Sequence, residues 1–183
     1  DALIWSDYIG HIADFIEPKA ETAVLFNSHH WPTWGHDDIV TQLHQQQDMY
    51  KFTHDQTVRL ANIGLTPKEI AEQLKLPKSL AGNFHLRGYY GTLSHNSKAV
   101  YQYYFGWYNG NPATLNPLPP VESAVRYVEF MGGAEELLEK AEEYQEKGDY
   151  RWVAEVLNHL VFAQPDNDDA RAMLAEAYRQ MAY

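Results

Sequence analysis

No cysteine occurs in this chain, which removes thiol nucleophiles, disulfides and cysteine-ligated metal sites together. Nor is there a run of 18 or more apolar residues, so no membrane-spanning helix is expected. Positive charge is scarce. Fourteen Lys and Arg stand against 25 Asp and Glu, a formal net charge of −11, with no clustered basic face of the kind phosphate backbones require. Nucleic acid is therefore excluded as a partner, and the acidic residues of the last third read as a solvated face. The opening residues DALIWSDYIG lack an initiating Met, a basic segment and an apolar signal core. Because they begin within helical periodicity, they are expected to be part of a longer protein.

What is present suffices for a core: 45% of the 183 residues are apolar. Leu3, Ile4, Tyr8, Ile12, Phe15 and Ile16 recur at helical spacing, predicting a helix over 3–16 with these on its apolar stripe. TAVLFNS, residues 22–28, reads as a buried strand of about six residues whose sheet partners lie elsewhere. From Asp37 the pattern becomes helical, with one long helix up to a stop at Gly64. Thr66, Pro67 and Glu69 form a capping-box signature for a short helix ending before Pro77. An aromatic, glycine-interrupted stretch from Gly88 to Gly110 is expected to hold a helix over 94–107, with Ser94 as a possible N-cap. A further helix covers PPVESAVRYVEFMGG. The final third reads helix, Gly148 turn, helix, Pro165 turn, helix. Its Gly148-Asp149-Tyr150 and Pro165-Asp166-Asn167 steps resemble a tetratricopeptide hairpin, of which only about one and a half repeats fit.

Two segments concentrate groups able to do chemistry. In LFNSHHWPTWGH, two adjacent imidazoles end an apolar run, the position where α/β proteins place their sites and where neutral imidazole can ligate zinc. Adjacent residues of a strand point to opposite faces, so only one of His29 and His30 is expected to face a given site. In HLRGYYGTLSHN, Gly88 and Gly91 permit close backbone approach or positive φ, while Tyr89, Tyr90, His95 and Asn96 supply donors on large side chains. A packed aromatic core is the alternative reading of this stretch. His11, His36, His44, His54 and His159 read as surface or core residues without partners.

Taken together, SHHWPTWG, DQTVRLANIGLTPKEIAEQLKLP, RGYYGTLSHNSKAVYQYYFGWYNGNPATLNPLPP, RYVEFMGG and GDYRWVAEVLNHLVFAQPDN resemble the linear alkylsulfatases, the dodecyl sulfate hydrolase type, of the metallo-β-lactamase superfamily. The resemblance runs through essentially the whole chain in order. It implies a mainly α fold, with residues 1–36 the C-terminal end of a metallo-β-lactamase-like catalytic domain that contributes one helix and one strand. Residues 37–183 would be an all-helical alkyl sulfatase dimerisation domain that includes the tetratricopeptide-like hairpin.

The resemblance further implies two zinc ions per full-length subunit, with most ligands, including an H-x-H-x-D-H motif, outside this segment. The family's last zinc ligand ends a strand, which puts it at His29, with His30 the alternate. Tyr90 and His95 are implied as catalytic groups, and Tyr89, Tyr90 and Asn96 as contacts to the sulfate. The implied reaction is metal-assisted hydrolysis of linear alkyl sulfates by a homodimer, with an aromatic-lined cleft for the alkyl chain. The family is typically bacterial and often exported, implying a periplasmic or secreted protein. A non-catalytic helical dimerisation module is the competing reading.

Overall fold

The computed structural model describes residues 1–19 and 21–182. It is mainly helical, as expected, with nine α-helices among the described residues and one two-stranded sheet. The chain forms two compact units, Asp1–Asn111 and Pro112–Tyr183.

In the first unit α1 (Ala2–Ile16) packs on the long α2 (His36–Asn62). Asp1 caps α1, its carboxylate accepting from the Leu3 N–H at 2.9 Å. Most of the predicted apolar stripe is not packed: Ile4, Tyr8, Ile12 and Phe15 are exposed and only Leu3 and Ile16 are half-buried, Ile16 against the core, while Ser6, Ile9, Gly10 and Ala13 are buried. Size explains the reversal. Ser6, Gly10 and Ala13 form a low ridge that lets the two helix backbones approach, and the Gln47 side chain lies where a Cβ on Gly10 would stand. Ile9 and Ala13 then meet Ile39 and Leu43 in a small core.

The expected six-residue buried strand is also corrected. Only Val24–Leu25 is strand (β1), and its partner lies within the chain: Thr33–Trp34 (β2), antiparallel with Val24 opposite Trp34 and Leu25 opposite Thr33. Phe26, 74% exposed, has left the strand. The Pro-containing segment turns back too soon for a longer ladder, since Pro donates no backbone hydrogen bond.

Helix α2 runs as read and stops at Gly64, whose φ of 94° only glycine adopts at little cost. Its buried side includes Thr53 and Thr57, whose hydroxyls donate to the carbonyls of Met49 at 2.8 Å and Thr53 at 2.6 Å. Bonding back to the preceding turn lets a polar residue enter the core satisfied. Helix α3 (Pro67–Gln73) has the complete capping box: Thr66 Oγ1 accepts from Glu69 N–H, and Glu69 Oε2 accepts from Thr66 N–H at 2.8 Å. A short helix α4 (Lys78–Ala81), a 3-10 turn (Phe84–Leu86) and α5 (Leu93–Phe105) complete this unit's helices.

The second unit is built from α6 (Pro120–Phe130), α7 (Ala134–Glu146), α8 (Tyr150–Ala163) and α9 (Asp168–Gln180). The helix-turn-helix-turn-helix order of the last third is as expected. Asp149 caps α8 through the Trp152 N–H at 3.4 Å, and Asn167 caps α9 through the Ala170 N–H at 3.0 Å. Helix α8 is the centre of this unit: Val153, Leu157 and Leu160 are fully buried against Val128, Leu137, Ala141, Ala170, Leu174 and Ala177.

Candidate functional site

Two loops more than fifty residues apart in sequence meet in the first unit. The connection between β1 and β2 carries Ser28, His29, His30 and Trp31. Its base is fixed on α2, because the Thr33 hydroxyl donates to the side-chain carbonyl of buried Gln42. The second loop runs from the 3-10 turn, anchored by buried Leu86, to Thr92, which caps α5. Thr92, not Ser94, is the N-cap, and its hydroxyl accepts from the His95 N–H at 3.2 Å. Thr92 has extended backbone while Ser94 already lies inside the helix, where a side chain cannot cap.

The rings of these loops interlock. His29 lies 5.7 Å from Tyr90 between ring centroids, and His30 lies 5.1 Å from Tyr89 and 6.3 Å from Phe84, both edge-on. Phe84 and Tyr89 are 5.4 Å apart. Both histidines therefore face the tyrosine loop, contrary to the expected alternation. The cause is local. Neither is on a strand, and His30 has φ 71°, in the left-handed region, so successive side chains no longer alternate.

His29 Nδ1 lies 3.2 Å from Ser28 Oγ, and fixing one ring nitrogen this way orients the other, Nε2, towards a ligand. That arrangement fits a zinc-ligating imidazole. Among the described residues, no group of three or more histidine, aspartate and glutamate side chains could hold a metal ion.

Tyr90 is 97% exposed, with its hydroxyl open to a ligand. His95 and Asn96 follow on the first turn of α5. His95 Nδ1 is engaged by Thr92 Oγ1 at 2.9 Å, which leaves Nε2 as its available atom. Asn96 packs on Gly91, where an added Cβ would stand 3.0 Å from Asn96 Oδ1. It also lines a cavity of about 290 Å³ with Trp5, Tyr50, Val100, Tyr103 and Tyr104. Tyr89 and Tyr90 are thus brought against His29 and His30, while Asn96 faces an aromatic-walled hollow beside them.

Three further groups belong to this region and were not singled out in the sequence. His85 is half-buried with its Nε2 enclosed and unbonded, and burial, helped by the charge of His30, pushes its pKa down, favouring the neutral ring. Arg87 places its guanidinium 5.7 Å from the Phe84 ring centroid and is the cation of the tyrosine loop. Phe84 carries both. The residues HLR immediately before the glycine-bracketed tyrosines were the available signal.

His54, expected to lack partners, has two. Its Nδ1 is 2.7 Å from Asp55 Oδ1 and its Nε2 is 2.9 Å from the Tyr104 hydroxyl, joining α2 to α5. Burial pushes Asp55 up, but its bonds to Lys51 and His54 outweigh this and hold its carboxyl below the usual range. His159, also expected to lack a partner, packs tilted on Tyr127, with ring centroids 4.4 Å apart.

The family described as alkyl sulfatase dimerisation matches residues 66–183. A linear primary-alkylsulfatase of Pseudomonas sp. is 52% identical over the whole chain, and an alkyl/aryl-sulfatase of Saccharomyces cerevisiae is 53% identical over 98% of it. The chain spans 27% of the length of each of these relatives. The solved structure of the stereoselective inverting sec-alkylsulfatase Pisa1 from Pseudomonas sp. superposes with a TM-score of 0.96 at 48% identity, covering all of this chain and 29% of that one. Such relatives are therefore not confined to bacteria.

Proposed function

Because this chain belongs to the alkyl sulfatase dimerisation family, we propose that it is the part of a zinc-dependent alkyl sulfatase that closes the active site and joins two subunits. The enzyme hydrolyses linear alkyl sulfate esters, of which dodecyl sulfate is the type, to alcohol and sulfate. Residues 1–36 are the end of its metallo-β-lactamase-like catalytic domain and residues 37–183 its helical dimerisation domain, in a periplasmic or secreted homodimer.

The observation that carries this reading is the meeting of the His29–His30 turn with the glycine-bracketed tyrosines. It brings metal-capable imidazoles against two phenol rings, with a guanidinium held over the adjoining Phe84 ring, and metal, hydroxyl and guanidinium are the partners that a sulfate ester needs. His29 holds the metal through Nε2, with His30 the alternate and the remaining ligands supplied by the rest of the enzyme. When bound, the metal provides a nucleophile at neutral pH and Lewis acidity towards a sulfate oxygen.

The chain's own residues do the rest. Tyr90, Tyr89 and Asn96 donate hydrogen bonds to sulfate oxygens, and Arg87 offsets their charge with its planar donors. His95, whose Nδ1 is engaged by Thr92, gives a proton from Nε2 to the bridging ester oxygen as one of its two bonds breaks. The aromatic-walled hollow beside Asn96 accommodates the start of the alkyl chain.

Elemental mass spectrometry on the full-length protein tests the assignment. About two zinc per subunit are expected, falling on His29→Ala and unchanged on His30→Ala. The reverse pattern would move the ligand to His30, and a protein without zinc would end the hydrolase reading. Residues 1–183 alone are expected to be inactive on dodecyl sulfate, because one imidazole cannot hold a binuclear centre.

A further inference from the structure

The second unit has a cavity of about 250 Å³ lined by Met131, Leu137, Ala141, Tyr144, Trp152 and Val156 and by the stem of Lys140. The Lys140 ammonium is drawn to Glu136 at 2.7 Å, so the surface offered is apolar and aromatic. At the end of α6, next to Met131, the Phe130 side chain is 93% exposed. A single exposed ring is ordinary on a protein surface. This one stands beside an open apolar cavity of a size to take one phenyl ring, and its own chain leaves it outside.

We propose that the occupant of this cavity is Phe130 of a second copy of the chain, the two copies exchanging rings across a two-fold axis. The inference rests on the dimer reading above and names the surface that makes it. Socket and plug are sequence neighbours, so a two-fold axis passing close to Phe130 brings each ring to the other's cavity, giving the self-complementary contact that a closed dimer requires. The family match described as dimerisation spans both. Each chain carries a net charge of −11, so two copies repel, and an uncharged aromatic patch is where they can meet without opposing carboxylates. Aromatic anchors in apolar pockets also carry most of the affinity of protein interfaces.

Sedimentation equilibrium of the full-length protein and of its Phe130→Ser, Trp152→Ala and Tyr103→Ser variants tests this, with far-UV circular dichroism on each. Phe130 is exposed in a single copy, so its substitution leaves the fold intact. The parent is expected to dimerise at micromolar concentration, with the dissociation constant raised a hundredfold or more by Phe130→Ser and by Trp152→Ala. Tyr103→Ser, on the exposed aromatic face of α5, should leave it unchanged. A dimer indifferent to Phe130→Ser would overturn the surface and leave dimerisation standing. Sensitivity to Phe130→Ser with indifference to Trp152→Ala would seat the ring elsewhere and overturn its pairing with the cavity. A monomeric parent would overturn both the surface and the dimer reading.

Discussion

Gly88 has no room for a side chain. A Cβ there would stand 2.8 Å from the Gly91 carbonyl oxygen, and backbone must move to admit it. Its role is close approach, one of the two options the sequence left open for it. Gly88→Ala is therefore expected to push the tyrosine loop away from His29 and His30, with a stability loss of about 1–3 kcal/mol typical of overpacking. The check is proton NMR: the ring-current shifts of the His29 and His30 Cε1 protons should collapse towards random-coil values, and unchanged shifts would refute it. At this scale the sequence was half legible. Tyr89, Tyr90 and His29 stand out by type and by neighbouring glycines. The joint orientation of His29 and His30 was hidden because it depends on one left-handed φ, at a residue whose side chain does not announce it. Of the two partners of His54, Tyr104 was hidden because it lies fifty residues away, whereas Asp55 is the next residue and was overlooked.

Among the elements, α3 is the one whose boundary could be read to the residue, because its signal is local: Thr66, Pro67 and Glu69 act only on the turn they begin. Thr66→Ala is expected to cost about 1 kcal/mol, measurable by urea unfolding. The bonds from Thr66, side chain first and then backbone, lower the pKa of Glu69. A carboxylate lowered in the folded state stabilises above its unfolded pKa, and that contribution fades as pH falls through the folded value. The Thr66→Ala effect should accordingly shrink between pH 5 and the acid limit of folding; a pH-independent difference would exclude the ionised capping box as its cause. Helix α1 shows the opposite case. Its existence was legible from periodicity, yet its packing face was not, because a hydrophobic stripe says which residues prefer burial and not which ridge fits the neighbouring helix. Ser6, Gly10 and Ala13 win by allowing close approach.

At the scale of the whole molecule, the two units keep separate cores, and a core substitution should be felt in one only. Leu157→Ala removes a fully buried side chain from the centre of α8 and is expected to destabilise the second unit by about 2–5 kcal/mol. Hydrogen exchange read by mass spectrometry should show lost protection in α7, α8 and α9 with α1 and α2 unchanged; equal loss in both would mean that they unfold as one. The helical class and the order of the last four helices were legible because turn residues and caps are local. The division between units was not, since it depends on which helices share a core.

Within the first unit, the linkage through His54 extends further than two helices. The Tyr104 hydroxyl that meets His54 Nε2 also lies 3.3 and 3.4 Å from the two carboxylate oxygens of Asp1, the cap of α1. The phenol donates to that carboxylate, so one hydroxyl serves the cap of α1 while its oxygen stands against an imidazole on α2. A chain of polar contacts thus runs from Asp55 to the start of α1, and a single phenol oxygen is the knot that ties three helices at one point.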